Sequence, residues 1–401
     1  MSGGVVNTPK LRFPEFSGGW ASSRMGDSFS SRRKRGENGL PLYSVTLDRG
    51  LVKRSELERK IQSDAADESN LRAQAGDLVY NMMRMWQGAV GRASESCMVS
   101  PAYVVLAPNR ETDSRFFDFW FKSHRALYLL WAYSHGLTND RLRLYPDDFS
   151  AIPHHRPKLP EQQKIAAFLG AVDAKIGQLT RKKALLEDYK KGCMGQLFTQ
   201  KLRFKDDQGN DFPDWEEKQL GEIASFSKGK GISKSDIQPN GKNLCIRYGE
   251  LYTQYREYIA KVASYTDTPT KRAVLSRKND VLMPTSDVTP NGLATASAID
   301  IEGVILGGDI LIIRSGEILN RFFAYYVAAN KPKIMRLVTG VTVYHIYGSD
   351  LATLHLGIPH PDEQQKIADF LFAIDAKISL VADELRAAQT FKKGLLQQMF
   401  V

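Results

Sequence analysis

Two stretches of the chain repeat one pattern of apolar and polar positions. Between Glu161 and Phe198, apolar side chains recur at Ile165, Leu169, Val172, Ile176, Leu179 and Leu186 in steps of four and three, with Lys183 in the one polar slot. Between Glu363 and Phe400 the stripe runs Ile367, Leu371, Ile374, Ile378, Val381, Leu385, Ala388, Leu395 and Met399. The stretches align without a gap, and 18 of 38 positions are identical. Such spacing predicts long helices that bury one face along a coiled-coil seam. Two near-copies in one chain predict that the natural partner of one helix is the other. Gly192 and Gly394 are expected to fray the last turns.

The repeat extends beyond the helices. Leu11-Arg12-Phe13, Phe13-Pro14 and Trp20, followed by Met25-Gly26-Asp27, match Leu202-Arg203-Phe204, Phe212-Pro213 and Trp215, followed by Leu220-Gly221-Glu222. Asp77 to Tyr80 matches Asp280 to Met283 as a short apolar strand. Cys97 to Pro108 and Gly303 to Ser315 read as one strand each. Arg115-Phe116-Phe117 and Arg321-Phe322-Phe323 each open one aromatic-rich helix. Gly136 and Thr138 match Gly340 and Thr342, and a Pro-rich link then delivers the chain to each long helix. Each half is therefore expected to be a mixed α/β globule followed by a helix, giving an α+β protein with an internal pseudo-two-fold repeat. The boundaries are placed at residues 1–155 and 201–357 for the globules and 156–200 and 358–401 for the helices.

Composition changes this picture little, and charge changes it more. A content of 42% hydrophobic and 25% charged residues describes an ordinary folded chain. No apolar run approaches a membrane span and Met1 to Lys10 lacks a signal-peptide core, so a cytoplasmic protein is expected, with no membrane partner. Cys97, Cys193 and Cys245 form no CxxC pair, and His154 next to His155 reads as part of an exposed linker, so no metal site is expected. The net charge of +10 favours a polyanion, and nucleic acid is the commonest one in a cell.

The loops gather the residues that could meet it. In the first half these are Arg32, Arg33, Lys34 and Arg35, then Arg84, Trp86 and Gln87 after a strand, then Asn139 and Arg141 after a Gly-Leu-Thr turn. In the second they are Lys228, Lys230, Ser233 and Lys234, then Ser286, Asp287, Thr289 and Asn291, then Thr342, Tyr344 and His345. Arg and Lys reach guanine edges, Asn and Gln adenine edges, and all reach phosphates.

Catalytic motifs are missing. The chain has neither the Asn/Asp-Pro-Pro-aromatic tetrad of an adenine methylase nor a Gly-rich turn for a methyl donor, and Gly229 to Ser233 departs from a phosphate-binding loop. Asp362 followed by Asp375-x-Lys377 mimics a metal-nuclease pattern. On one continuous helix, however, those carboxylates would lie roughly 20 Å apart, too far to share an ion.

The duplicated EQQKIAxFL…DAKI…KKG…F helix, with its preceding Pro-rich link and Trp-led entry, resembles the specificity subunit of Type I restriction-modification systems. That resemblance spans essentially the whole chain. It implies two target-recognition domains separated by an antiparallel coiled coil of the two long helices, each reading half of a bipartite, asymmetric double-stranded DNA sequence. It also implies no active site and no cofactor in this chain. Two methyltransferase subunits would carry S-adenosylmethionine, and restriction or motor subunits would carry ATP and Mg²⁺. A DNA-modifying enzyme with an unrecognised site and a partner-only scaffold are the alternatives.

Overall fold

The computed structural model describes residues 7–57, 67–138 and 140–401. The chain divides into two compact units, Met1–Thr180 with Asp383–Val401, and Arg181–Ala382. The two long helices, Leu159–Phe198 and Pro361–Gln398, each contribute to both. They run unbroken through Gly192 and Gly394, contrary to the expected fraying. One helical glycine costs only about 1 kcal/mol relative to alanine. The buried Met194 and Leu197 beyond Gly192, and Leu395 beyond Gly394, hold the last turns in place.

The heptad stripe has a second use that its spacing did not disclose. In the first unit Ile165 and Leu169, together with Leu395 and Met399, belong to the same core as Trp20, Phe116, Phe117 and Trp120, and Val172 packs at its edge. In the second, Ile367, Leu371, Ile374 and Ile378 join Met194 and Leu197 around Phe322, Phe323 and Tyr325, with Leu186 at the edge. The helix ends are thus parts of the globular cores. Leu179 and Val381 are also buried, whereas Ile176 and Leu385 are only partly so. Within each unit the start of one helix meets the end of the other, so the pair is antiparallel. Lys392 Nζ lies 2.6 Å from Asp173 Oδ1 in the first unit, and Lys190 Nζ lies 2.8 Å from Asp375 Oδ1 in the second.

The first unit carries an antiparallel sheet in the order Phe29–Arg32, Tyr103–Pro108, Leu78–Asn81, Val90–Arg92. A second sheet runs Gly50–Lys53, Leu42–Thr46, Cys97–Val99, Leu71–Ala73. In the second unit the corresponding sheets contain five and three strands. The apolar runs read as single strands are two each. Cys97–Val99 and Tyr103–Pro108, separated by a turn in which Tyr103 N donates to Ser100 O at 3.0 Å, serve different sheets. Ile305–Leu306 and Ile310–Ser315 divide in the same way. Each expected aromatic helix is likewise two. Ser123 Oγ accepts from Ala126 N at 3.2 Å and starts His124–Ala132 anew, while Pro332 opens Lys331–Met335.

The repeated Glu-Gln-Gln-Lys explains how a globule is fixed to its helix. Glu161 accepts two hydrogen bonds from the Arg12 guanidinium, each 2.7 Å, and one from Trp20 Nε1 at 3.2 Å. Glu363 accepts from Arg203 at 3.1 and 2.8 Å and from Trp215 Nε1 at 3.1 Å. The next residue clasps the entry loop. Gln162 accepts from Asp113 N and donates to Glu111 O and Pro157 O, and Gln364 accepts from Leu319 N and donates to Glu317 O and Pro359 O. Phe13 and Phe204 complete the clasp with edge-to-face contacts to Phe168 and Phe370.

The Pro-rich link is not an exposed linker. Pro153–Arg156 is a strand paired with Ala21–Arg24, as His355–Ile358 is with Glu216–Gln219. His154 is buried against Phe117 and Trp120, with Nε2 3.2 Å from Ser28 Oγ. Burial, helped by nearby Arg156, pushes its pKa down to about 4.

Two stability predictions follow from this geometry. Replacing Arg12 by Ala strands the buried Glu161 carboxylate and should cost about 3–5 kcal/mol, whereas the apolar pair Arg12→Met/Glu161→Leu should recover most of it. Thermal melts of the three chains check this, and a single mutant that melts with the wild type refutes it. For His154, the folded-state pKa lies below the unfolded value near 6.5, so the unfolded chain binds the proton first. Its stabilisation is therefore complete above pH 6.5 and declines as pH falls towards 4, by up to ~3 kcal/mol. Denaturant melts across that window should show an acid limb that His154→Asn flattens.

Candidate nucleic-acid interface

The register of the sheets superimposes the two units residue by residue. Asp77 corresponds to Asp280, and Arg33, one residue past Arg32↔Val105, corresponds to Lys228, one past Ser227↔Ile312. Leu144 N donates to Met82 O at 3.0 Å, and Ile346 N to Thr285 O at 3.1 Å, so Tyr145 and Tyr347 also correspond. Each unit therefore sets a cation from its edge strand beside a tyrosine that follows a hairpin. Arg33 and Tyr145 line one open cleft of about 380 Å³ with Arg32, Met82, Val104 and Pro146. Lys228 Nζ lies 5.9 Å from the Tyr347 ring, which stacks on His345 at 6.0 Å.

The four-cation run of the first unit divides. Arg32 turns inward to Asp77, with Nε 2.9 Å from Oδ2, and its side chain is only 23% exposed. Burial nevertheless holds the Asp77 carboxyl above its usual range. The second unit has Ser227 at the equivalent position and supplies the arginine from the neighbouring strand. Arg314 Nε reaches Asp280 Oδ1 at 2.7 Å and Nη2 reaches Oδ2 at 3.0 Å. One buried carboxylate is thus matched from two different strands, and Arg32 is a strut of the fold. Arg33, Lys34 and Arg35 are exposed. The backbone of this run is tied to the next sheet through Arg72 N to Lys34 O, 2.8 Å, and Gly36 N to Asn70 O, 2.7 Å.

Arg84 and Gln87 are exposed on the short turn Met85–Gln87, where half-buried Trp86 donates Nε1 to Met83 O at 3.1 Å. Arg141 is exposed on a hairpin closed by His135 and Arg143. Asn139 lies outside the described residues. In the second unit the structure joins two of the sequence clusters, because Ser286–Asp287 pairs with Tyr344–His345. Asp287 is buried and accepts from Thr289 Oγ1 at 2.7 Å, while Tyr344 packs on the core. Asn291 and Thr342 are exposed. Lys230 and Lys234 are exposed as well, but Ser233 Oγ is 2.7 Å from Asp236 Oδ2 and caps a turn. That bond is the first cause of the lowered Asp236 pKa. Sequence reasoning missed Tyr145, Tyr347 and exposed Arg143. The alignment of Arg143 with His345 was the available signal.

Asp375 of the nuclease-like pattern, and Asp173 at the same position of the first long helix, have structural partners. Asp375 accepts from Tyr325 Oη at 2.7 Å and pairs with Lys190, while Asp173 pairs with Lys392. Among the described residues no group of three or more His, Cys, Asp or Glu could hold a metal ion, and no helix is long and apolar enough to cross a membrane.

Residues 213–388 match the family model described as the Type I restriction modification DNA specificity domain. Two proteins of Methanocaldococcus jannaschii are similar in sequence. The putative type I restriction enzyme MjaX specificity subunit is 28% identical over 247 residues, 60% of this chain and 56% of that protein. The type I restriction enzyme MjaVIII specificity subunit is 26% identical over 255 residues, 60% and 59% of the two chains. The match thus spans a little over half the length of these relatives. Over nearly its full length the chain shares the fold of the Type I restriction-modification S subunit from M. genitalium, with a TM-score of 0.61 at 17% identity and 98% and 99% of the chains covered. A chain from a structural study of Type I restriction-modification complex assembly gives 0.54 at 15% identity, covering 97% and 98%. The fold is that of a Type I specificity subunit. The match to the DNA specificity domain model falls almost entirely within the second unit, and the relatives similar in sequence are named specificity subunits.

Replacing Arg33, Lys34 and Arg35 by Ala should flatten the salt dependence of DNA binding by up to about 0.9 in log–log slope per lost phosphate contact. Replacing Arg32 should instead lower stability. Titrations over a salt series check this, and an unchanged slope in the triple variant removes these cations from the interface.

Proposed function

We propose that this chain is the DNA-recognition subunit of a Type I restriction-modification assembly, each unit reading one part of a bipartite asymmetric duplex sequence. The observation that carries the reading is a repeated frame with unlike loops. The Glu-Arg-Trp clasp, the Asp-Lys pair between helices and the cation–tyrosine corner recur in both units, whereas the loops around that corner differ in length and residues. Two copies of one scaffold with different surfaces suit two different half-sites. The exposed arginines and lysines supply phosphate contacts, and Asn291, Gln87, Arg84 and Arg141 supply groups that can reach base edges.

In this reading the chain is not itself an enzyme. Two methyltransferase subunits bring S-adenosylmethionine and the base-flipping pocket, and restriction subunits bring ATP and Mg²⁺. The chain supplies position, since a target adenine can be extruded only where the complex is held in register. The assembly works in the cytoplasm, where its DNA is.

The purified chain alone should neither methylate nor cleave DNA, and should confer sequence-specific adenine methylation on an added methyltransferase subunit. Exchanging residues 20–150 for the matching segment of a relative should alter one half of the methylated motif and leave the other. Activity of the chain alone, or a change in both halves, overturns the corresponding part of the reading.

A further inference from the structure

The two hairpins that precede Tyr145 and Tyr347 each expose a side chain that no contact within the fold explains. Leu137 is 101% exposed and Val341 is 87% exposed. Both sit at one register position, immediately after the first residues of matching hairpins. His135 and Arg143 exchange backbone hydrogen bonds of 2.9 and 2.8 Å, and Thr339 and His345 exchange bonds of 2.9 and 2.7 Å. In each the next residue is a glycine, Gly136 or Gly340, where a Cβ would collide with the backbone carbonyl of the opposite arm, and Gly340 also has φ +114°. Glycine lets the arms close at that point and leaves the following side chain facing solvent.

Single exposed apolar residues are ordinary. This pair is unusual in what surrounds it. The hairpins differ in length and in the residues after the tip, yet both keep glycine, an apolar residue and an exposed threonine. A feature shared by two surfaces that otherwise differ serves something common to both targets, rather than the identity of particular bases. The neighbourhood is cationic. Arg141 and Arg143 are exposed on the first hairpin, and Lys228 stands over the Tyr347 ring that stacks on His345 of the second. An apolar tip beside cations fits a ligand that has apolar faces behind phosphate rails, and duplex DNA is built that way.

We propose that Leu137 and Val341 are apolar wedges, each pressing into a base step at its half-site and partly unstacking it. The proposal rests on the DNA reading above and deepens it. Such wedges unstack and kink a duplex at a cost recovered by wider contact. Here that would present the threonine and the adjoining cations to the opened groove.

The test uses the full-length chain and a duplex that it selects from a randomised pool. Adenines of the selected sequence are replaced singly by 2-aminopurine, which brightens when unstacked. Brightening is expected at one step in each half. Leu137→Ala should abolish the first and Val341→Ala the second, each weakening binding by about tenfold, with unchanged melting because neither side chain is packed. Leu137→Met and Val341→Ile should retain the signal. The wedge is wrong if the wild type binds its selected duplex with no brightened position, or if brightening survives in the alanine variants. It is also wrong if those variants keep full DNA affinity and lose capture of the methyltransferase subunit, which would make the tips a protein-docking surface. If the wild type selects no sequence at all, the DNA reading itself fails and the wedge falls with it.

Discussion

A carboxylate buried at the first turn of a long helix needs charge and donors brought to it, and the whole architecture is arranged around that requirement. Glu161 and Glu363 are each almost fully buried, and each collects an arginine fork and an indole N–H from a segment far away in sequence. The favourable end of the helix dipole adds to the match. Such a pair contributes little net stability against an apolar substitute, but it is intolerant of partial loss and fixes geometry. What it fixes is the angle at which each globule leaves its helix. The adjacent Gln162 and Gln364 bond the link and the helix-entry loop, so the clasp orients the sheets as well.

From that clasp the candidate surface follows by short steps. The strand after Trp20 or Trp215 pairs with the strand that leads into the long helix. A turn later the edge strand leads out to Arg33 in one unit and ends at Lys228 in the other, and the hairpin returns Tyr145 or Tyr347 to its side. None of these distances depends on loop composition. The loops can therefore vary without moving the frame, which is the physical condition that the proposed reading of two different half-sites requires. Stable frame and variable rim divide the sequence between them.

The exchange of arginines at the buried aspartates shows the same economy in the core. Asp77 and Asp280 occupy one position, yet one is matched from the edge strand and the other from its neighbour. A charge out of water must be paired, but the pairing can be satisfied from either of two adjacent strands. That freedom removes Arg32 from the surface run to which its sequence neighbours belong.

Much of this was legible in the chain because it is written twice. Periodicity gave the long helices and their buried face, and the duplicated segments gave two α/β units in a common frame. The charge of +10 favoured a polyanionic partner, as the proposed DNA reading requires. Tertiary structure alone decided which polar residues face inward. Arg32, Asp287 and His154 are indistinguishable from surface residues in a linear reading, because burial is a property of contacts between distant segments. It also decided that Ser286 meets His345, and that Arg33 shares a cleft with Tyr145. Local patterns specify the period of an element and where it ends. Which side chains then converge is set by sheet register and by the clasp at the helix entry, and both join residues far apart in the sequence.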